Sequence, residues 1–229
     1  GPSPALSYAL VAGVSVLSAG SVTAQNLPHA RLFPPEDLGQ LERPDRALWQ
    51  KPDQIMDSLS IADGSRVADL GAGGGWFTVR LARRVGPNGV VYAQDVQPEM
   101  LDAIEYRVNR EGLTNVETVL GTTESPLLPA RLDAILIVDV IGEVSDPVAW
   151  LSDAAQALKP QGRLGVVDFT KEGGGPGPPM EARVEPNAVV EAASAAGLRL
   201  LSHETFLTYQ FLLVFGQNER PPPTDQAGP

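Results

Sequence analysis

The sequence contains no cysteine. That absence excludes disulfides, zinc–thiolate sites, iron–sulfur clusters and thiol nucleophiles together. Histidine is nearly missing too: His29 and His203 are the two in 229 residues, so no multi-histidine metal centre is expected. Positive charge is scarce, with 17 Lys and Arg against 28 Asp and Glu, a formal charge of -11. A surface of that sign repels phosphate backbones, and no nucleic-acid partner is expected. What remains suits a folded domain. Hydrophobic residues make up 43% and charged residues 20%, enough to build a core and to exclude wholesale disorder.

Charge is absent altogether before Arg31. From Ala5 to Ala24 the chain is small and apolar, closing on Val22-Thr23-Ala24, a small-x-small pattern of the kind a signal peptidase cuts. Two readings stay open. Residues 5–24 form a signal peptide or weak membrane anchor, which implies export or membrane contact. Alternatively they form an Ala/Ser-rich arm packed on the domain or on a second subunit, which leaves a cytoplasmic location and a homodimer open. The expected organisation is a signal-like or arm segment at 1–31 and a helical lead-in at 32–64. The main domain follows at 65–216, then a disordered, proline-rich tail at 217–229.

Within the lead-in, Pro44 to Gln50 and Pro52 to Leu59 read as short helices started by proline. Strands and helices then alternate. Arg66 to Leu70, Val90 to Asp95, Val116 to Leu120, Asp133 to Val140 and Arg163 to Phe169 read as strands. Between them, Trp76 to Val85, Pro98 to Glu111 and Asp146 to Lys159 read as helices, and Pro186 to Ala196 as a fourth after the last of these strands. Leu198 to Phe206 and Gln210 to Phe215 have no helix between them and should pair antiparallel. The pattern predicts an α/β, doubly wound, mostly parallel sheet, with the loops after the first and fourth strands meeting at a ligand crevice.

The first strand runs into Asp69-Leu70-Gly71-Ala72-Gly73-Gly74-Gly75-Trp76. Glycines at a strand-to-helix turn let the backbone approach a ligand above the helix N-terminus. A dinucleotide fits poorly: counted from Gly71, the third glycine of its fingerprint falls on Trp76, and Asp69 would sit beside a pyrophosphate. A cationic ligand reverses the second objection, because a carboxylate then attracts it. S-adenosylmethionine, with its ammonium and sulfonium, is such a ligand. Asp95, at the end of the second strand and twenty positions beyond Gly75, is placed to accept ribose hydroxyls; it would equally cap the helix after Pro98.

Here the chain resembles the class I S-adenosylmethionine-dependent methyltransferases. The resemblance spans 54–215. It rests on Val67 to Gly75 and Asp95, then Gly121-Thr122-Thr123-Glu124, the strand Asp133 to Asp139, and Leu158-Lys159-Pro160-Gln161-Gly162-Arg163-Leu164. It implies a Rossmann-like methyltransferase fold, a seven-stranded sheet of order 3-2-1-4-5-7-6 with an antiparallel seventh strand. It also implies S-adenosylmethionine as cofactor, S-adenosylhomocysteine as product, and a small or lipophilic acceptor. Asp69, Gly71, Gly73 and Gly75 would then hold the methionine part, Asp95 the ribose and Thr122 the adenine. Asp139 and Glu143 would line the transfer site as the catalytic candidates.

Two positions depart from the family pattern. Thr122 stands where many relatives carry Asp against the adenine amino group. Val140-Ile141-Gly142-Glu143 replaces an aromatic-His-Glu stretch and so lacks the easiest general base. The alternative to an enzyme is therefore a non-catalytic, degenerate methyltransferase fold binding a nucleoside ligand or a protein partner. If the chain is catalytic, Glu143 is the candidate base; otherwise Asp139 orders the cofactor ammonium and Glu143 merely precedes the helix capped by Asp146. Asp168 either faces the pocket or orders its own loop. Lys171 to Met180 reads as a substrate lid or a long connector, His203 as an edge-strand residue, and Trp49, Trp76 and Trp150 as packing.

Overall fold

The apolar, β-branched run Leu132–Val138 builds β4, whose residues from Ala134 to Ile137 are buried, as a strand covered on both faces requires. The computed structural model describes residues 42–219. The signal-like segment, His29 and the tail beyond Glu219 lie outside the described residues. Flanking β4 are β1 (Arg66–Leu70), β2 (Val90–Asp95), β3 (Val116–Leu120), β5 (Leu158–Phe169), β6 (Leu198–Glu204) and β7 (Gln210–Gln217). Their order is β3-β2-β1-β4-β5-β7-β6. β1 to β5 pair in parallel, and β7 runs antiparallel to both β5 and β6. This is the expected order and the expected odd strand.

Helices α1 (Arg46–Gln50), α2 (Pro52–Ser58), α3 (Trp76–Val85), α4 (Pro98–Arg110), α5 (Pro147–Gln156) and α6 (Pro186–Ala195) cover the sheet. One face buries Ile55, Met56, Leu59, Phe77 and Leu81 against Leu136, Val167, Leu212 and Val214. The other buries Trp150, Leu151 and Val189 against Ile135, Ile137, Leu164, Leu213 and Phe215. Each such side chain contributes about 1.5–3 kcal/mol of burial, so two sandwiched layers hold the sheet. Proline opens α2, α4, α5 and α6, where its missing N–H costs nothing. Among the described residues, no helix is long and apolar enough to cross a membrane.

Several element ends depart from the sequence reading. α1 starts at Arg46 instead of Pro44, and α2 stops at Ser58. α4 and α6 each end one residue early, and β6 stops at Glu204. β4 stops at Val138, not Val140, because Asp139 turns to φ 59°. α5 stops at Gln156, because Ala157 C=O accepts from Leu132 N–H at 2.8 Å and Leu158 already pairs with Leu132. β5 thus absorbs the segment expected to be its lead-in turn, through a register shift between Leu132 and Ala134. β7 runs past Phe215 to Gln217, whose Nε2 donates to the carbonyls of Ala155 and Leu158. Gln217 therefore lies in the sheet and not in the tail expected to begin there.

Candidate active site

β1 and β4 are neighbours, with Asp69 opposite Leu136 and Leu70 opposite Ile137. Their exit loops consequently emerge side by side at the switch point of the sheet. The contact is close: a β-carbon on Gly71 would sit 2.5 Å from Val140 Cγ2, and Gly71 has φ 78°. Only glycine meets both demands. Gly73 is different, since a β-carbon there would meet nothing within 4 Å; the turn opens onto free space at that point.

Asp95, buried at the end of β2, is held by backbone donors. Gly73 N–H donates to its Oδ2 at 2.9 Å and Gln97 N–H to its Oδ1 at 3.0 Å. The carboxylate thereby couples the glycine turn to the start of α4. Gln94, one residue earlier, was not singled out from sequence. Its backbone carbonyl accepts from Gly71 and Ala72 N–H at 2.9 and 2.8 Å, its Oε1 accepts from Gly71 N–H, and its Nε2 donates to Pro126 C=O at 3.1 Å. Gln94 ties the glycine turn to the loop after β3. In that loop Thr122 is exposed, and its hydroxyl accepts from Ser125 N–H at 3.0 Å.

Asp69 lies beneath the turn, 2% exposed, and accepts from Thr78 Oγ1 at 2.7 Å. Burial pushes its pKa up to about 6, against the lowering effect of the Thr78 hydroxyl. Asp139 stands just past β4 in a left-handed conformation that short polar residues tolerate at a cost. Burial raises its pKa, and Asp168 adds to the rise while Arg46 opposes it. Asp168, buried at the end of β5, is raised by burial in turn. Glu143, in a 3-10 turn at Ile141–Glu143, is pushed up to about 7 by burial and then by Asp168 and Asp95. The structure therefore brings Asp139, Glu143 and Asp168 into one electrostatic group beside the glycine turn.

A chain of side-chain amides feeds that group from the lead-in. Arg46 Nε donates to Gln50 Oε1 at 2.6 Å, Gln50 Nε2 to Gln210 Oε1 at 2.8 Å, and Gln210 Nε2 to Asp139 Oδ1 at 2.6 Å. A guanidinium can only donate, so Gln50 turns its Oε1 to Arg46, which leaves Gln50 Nε2 for Gln210 Oε1 and Gln210 Nε2 for Asp139. None of Arg46, Gln50 and Gln210 was found from sequence. The one signal was a glutamine opening the otherwise apolar strand Phe211 to Phe215.

By the end of β5 and the start of β7, Trp49 packs against Phe169 and Tyr209 with ring centroids 5.9 and 6.0 Å apart. The 171–179 segment is pinned by buried Arg183, which donates to the carbonyls of Pro178, Thr170 and Pro176. Val184, the residue after Arg183, reaches the loop that follows β4, since a β-carbon on Gly142 would meet its Cγ1 at 3.2 Å. His203 sits exposed on β6, paired with Leu213, away from these groups.

Residues 67–162 match the family model described as "Methyltransferase domain". A solved S-adenosylmethionine-dependent methyltransferase from Aquifex aeolicus superposes with a TM-score of 0.77 at 29% identity, covering 81% of this chain and 100% of that one. Residues 67–162 thus carry a methyltransferase domain of the class I S-adenosylmethionine-dependent kind. Among curated relatives, an uncharacterized methyltransferase of Mycobacterium bovis is 39% identical over 123 residues, which is 53% of this chain and 46% of the relative. A ubiquinone/menaquinone biosynthesis C-methyltransferase of Pasteurella multocida is 34% identical over 123 residues, 51% of this chain and 44% of that protein. The chain thus spans less than half the length of these curated relatives. Class I methyltransferases of this kind use S-adenosylmethionine and release S-adenosylhomocysteine.

Proposed function

We propose that the chain transfers the methyl group of S-adenosylmethionine to a small, lipophilic acceptor that carries an ionisable hydroxyl, of the quinol kind. The observation that carries the reading is the set of carboxyl groups around an open glycine turn. Asp69, Asp95, Asp139, Glu143 and Asp168 are all pushed upward by burial. A cation relieves that load and a pyrophosphate adds to it, so these residues fit a cationic nucleoside and not a dinucleotide.

When bound, the sulfonium supplies an electrophilic methyl group with a good leaving group already attached. Asp95 has its carboxylate anchored to the glycine turn and is the residue for the ribose hydroxyls. Gly71, Gly73 and Gly75 leave room for the methionine part over the turn, with Asp69 below them contributing negative charge. Thr122, exposed beyond β3, is the residue for the adenine edge. Asp139, oriented by Gln210, holds positive charge at the β4 edge. Glu143, with a pKa near neutrality, is suited to take the acceptor proton as the new bond to carbon or oxygen forms and the sulfur–methyl bond breaks. Trp49, Phe169 and Tyr209 offer an aromatic wall for a planar, apolar acceptor. The quinone C-methyltransferase among the relatives supports this acceptor class.

The test is methyl transfer from S-adenosylmethionine to reduced naphthoquinones, followed by mass spectrometry. Glu143→Gln should retain S-adenosylhomocysteine affinity and lose turnover by about 10²–10⁴-fold. Retained turnover in that variant removes Glu143 as the base and leaves positioning as the source of rate. A second reading is a non-catalytic relative that binds a nucleoside or a protein, favoured by the Thr122 hydroxyl being engaged with Ser125. Tight S-adenosylhomocysteine binding without turnover on a broad acceptor panel would select it.

A further inference from the structure

An acidic chain would be expected to present an acidic surface, yet one cavity is lined the other way. Between α3, α4 and the segment before α1 lies a cavity of about 350 Å³. Arg43, Arg80, Arg83, Arg107 and Arg110 line it, against Glu42 and Glu111. This places five of the 17 basic residues of the whole chain around one depression. Its size suits a small ligand.

Ordinary structural roles account for part of the cluster. Arg83 closes α3, and Arg107 and Arg110 close α4, where cations complement the helix dipole. Arg83 pairs with Glu111 at 2.5 Å and Arg107 pairs with Glu42. Arg80 is not explained this way. It lies mid-helix, and among the described residues no carboxylate forms an ion pair with it within 4.0 Å. Its Nη1 donates to the Trp76 carbonyl at 2.9 Å, and its guanidinium lies 3.4 Å from the Trp76 ring centroid. Stacking of this kind fixes the plane of the fork and leaves the outer N–H groups directed away from the ring. Burial lowers the pKa of Arg80, and the charges of Arg83 and Arg107 lower it further, against the raising effect of Asp53 and Glu42. With two arginines beside it and no ion-pair partner among the described residues, the guanidinium is in a setting that an added anion stabilises.

We infer that this arginine-lined cavity is a binding site for a phosphate-bearing anion, separate from the cofactor turn. Arg80 is its central ligand, with Arg83, Arg107 and Arg110 around it. A planar fork that donates two parallel hydrogen bonds matches phosphate oxygens. The anion is either a free phosphate compound or a phospholipid headgroup, and the chemistry recognised is the same. Trp76 connects the cavity to the methyltransferase site, because its ring also lies 4.2 Å from Arg46 Cζ, the start of the amide chain to Asp139.

Inorganic pyrophosphate titrated into the full chain, read by calorimetry and by tryptophan fluorescence, tests the site. One equivalent should bind with a submillimolar Kd at about 150 mM salt, where diffuse surface attraction is screened. Arg80→Gln should weaken binding by about tenfold or more, the usual scale for a lost charge-assisted hydrogen bond. Arg80→Lys, which keeps the charge but not the stacked fork, should fall between the two, and Arg199→Gln on β6 should bind like the parent. Flotation with phosphatidic acid vesicles against phosphatidylcholine vesicles separates the sources. Pyrophosphate binding marks a soluble ligand, and Arg80-dependent binding to phosphatidic acid vesicles alone marks a headgroup. No binding in either arm overturns the inference, as does equal affinity in Arg80→Gln with an unchanged melting temperature.

Discussion

Gln210 does two jobs with one amide. Its oxygen accepts from Gln50 and its nitrogen donates to Asp139, and with 2% exposure no water replaces either partner cheaply. Gln210→Leu would leave a buried donor on Gln50 and a half-buried carboxyl group on Asp139 without their bonds. The expected loss is about 1–3 kcal/mol of stability, measurable in urea. Gln210→Glu should be worse above neutral pH and recover on acidification, since it places a further carboxyl against Asp139; a pH-independent loss would mean the amide chain is not the cause. The sequence places Asp69, Asp95, Thr122, Asp139 and Glu143 near the glycine turn because each sits at or just past a strand end, while their roles rest on the family resemblance. Gln50 and Gln210 are not legible there, because they are 160 positions apart and no local period marks a pair of amides that meet only after folding.

At the scale of elements, the glycine turn after β1 and the loop after β4 behave as one unit through the Gly71–Val140 contact. Gly71→Ala combines a positive φ with a β-carbon 2.5 Å from Val140 Cγ2. The backbone part alone costs about 1–2 kcal/mol, and the overlap pushes the two loops apart. S-adenosylhomocysteine affinity should therefore drop along with the melting temperature. Adding Val140→Ala should recover part of both losses, whereas recovery of neither would assign the whole effect to φ. The alternation of strands and helices was readable from hydrophobic period and from proline and glycine punctuation. The ends depart from the local signal where strand pairing overrides it. β5 begins at Leu158 because Leu132 pairs with it there, although Pro160 and Gly162 read as a turn.

Across the whole molecule, the buried acids set how stability responds to pH. Asp69 is raised to about 6 and Glu143 to about 7, and Asp139 and Asp168 are raised with them. Between the ordinary carboxylate range and about pH 7 the folded state holds more protons than the unfolded chain. Stability then falls as pH rises through that window, the reverse of a chain stabilised by paired carboxylates. Melting temperatures taken from pH 5 to 8 should decline, and saturating S-adenosylmethionine should flatten the decline by supplying positive charge. A melting temperature that climbs over this range would show that the acids are paired or hydrated instead of buried and raised.

The position of β7 has a consequence for how the protein is made. β5 and β6 have no pairing with each other; β7 lies between them, antiparallel to both. During synthesis, residues 158–169 leave the ribosome well before 210–217, so the β5 edge waits unpaired with Val166 and Val167 in the middle of it. An open edge of that composition is a template for pairing between neighbouring nascent chains. The strand that closes it also carries Gln210, the partner of Asp139. Edge protection and assembly of the acidic site are thus a single late event, and a ribosome that stalls before Gln210 leaves a chain that is both sticky and inert.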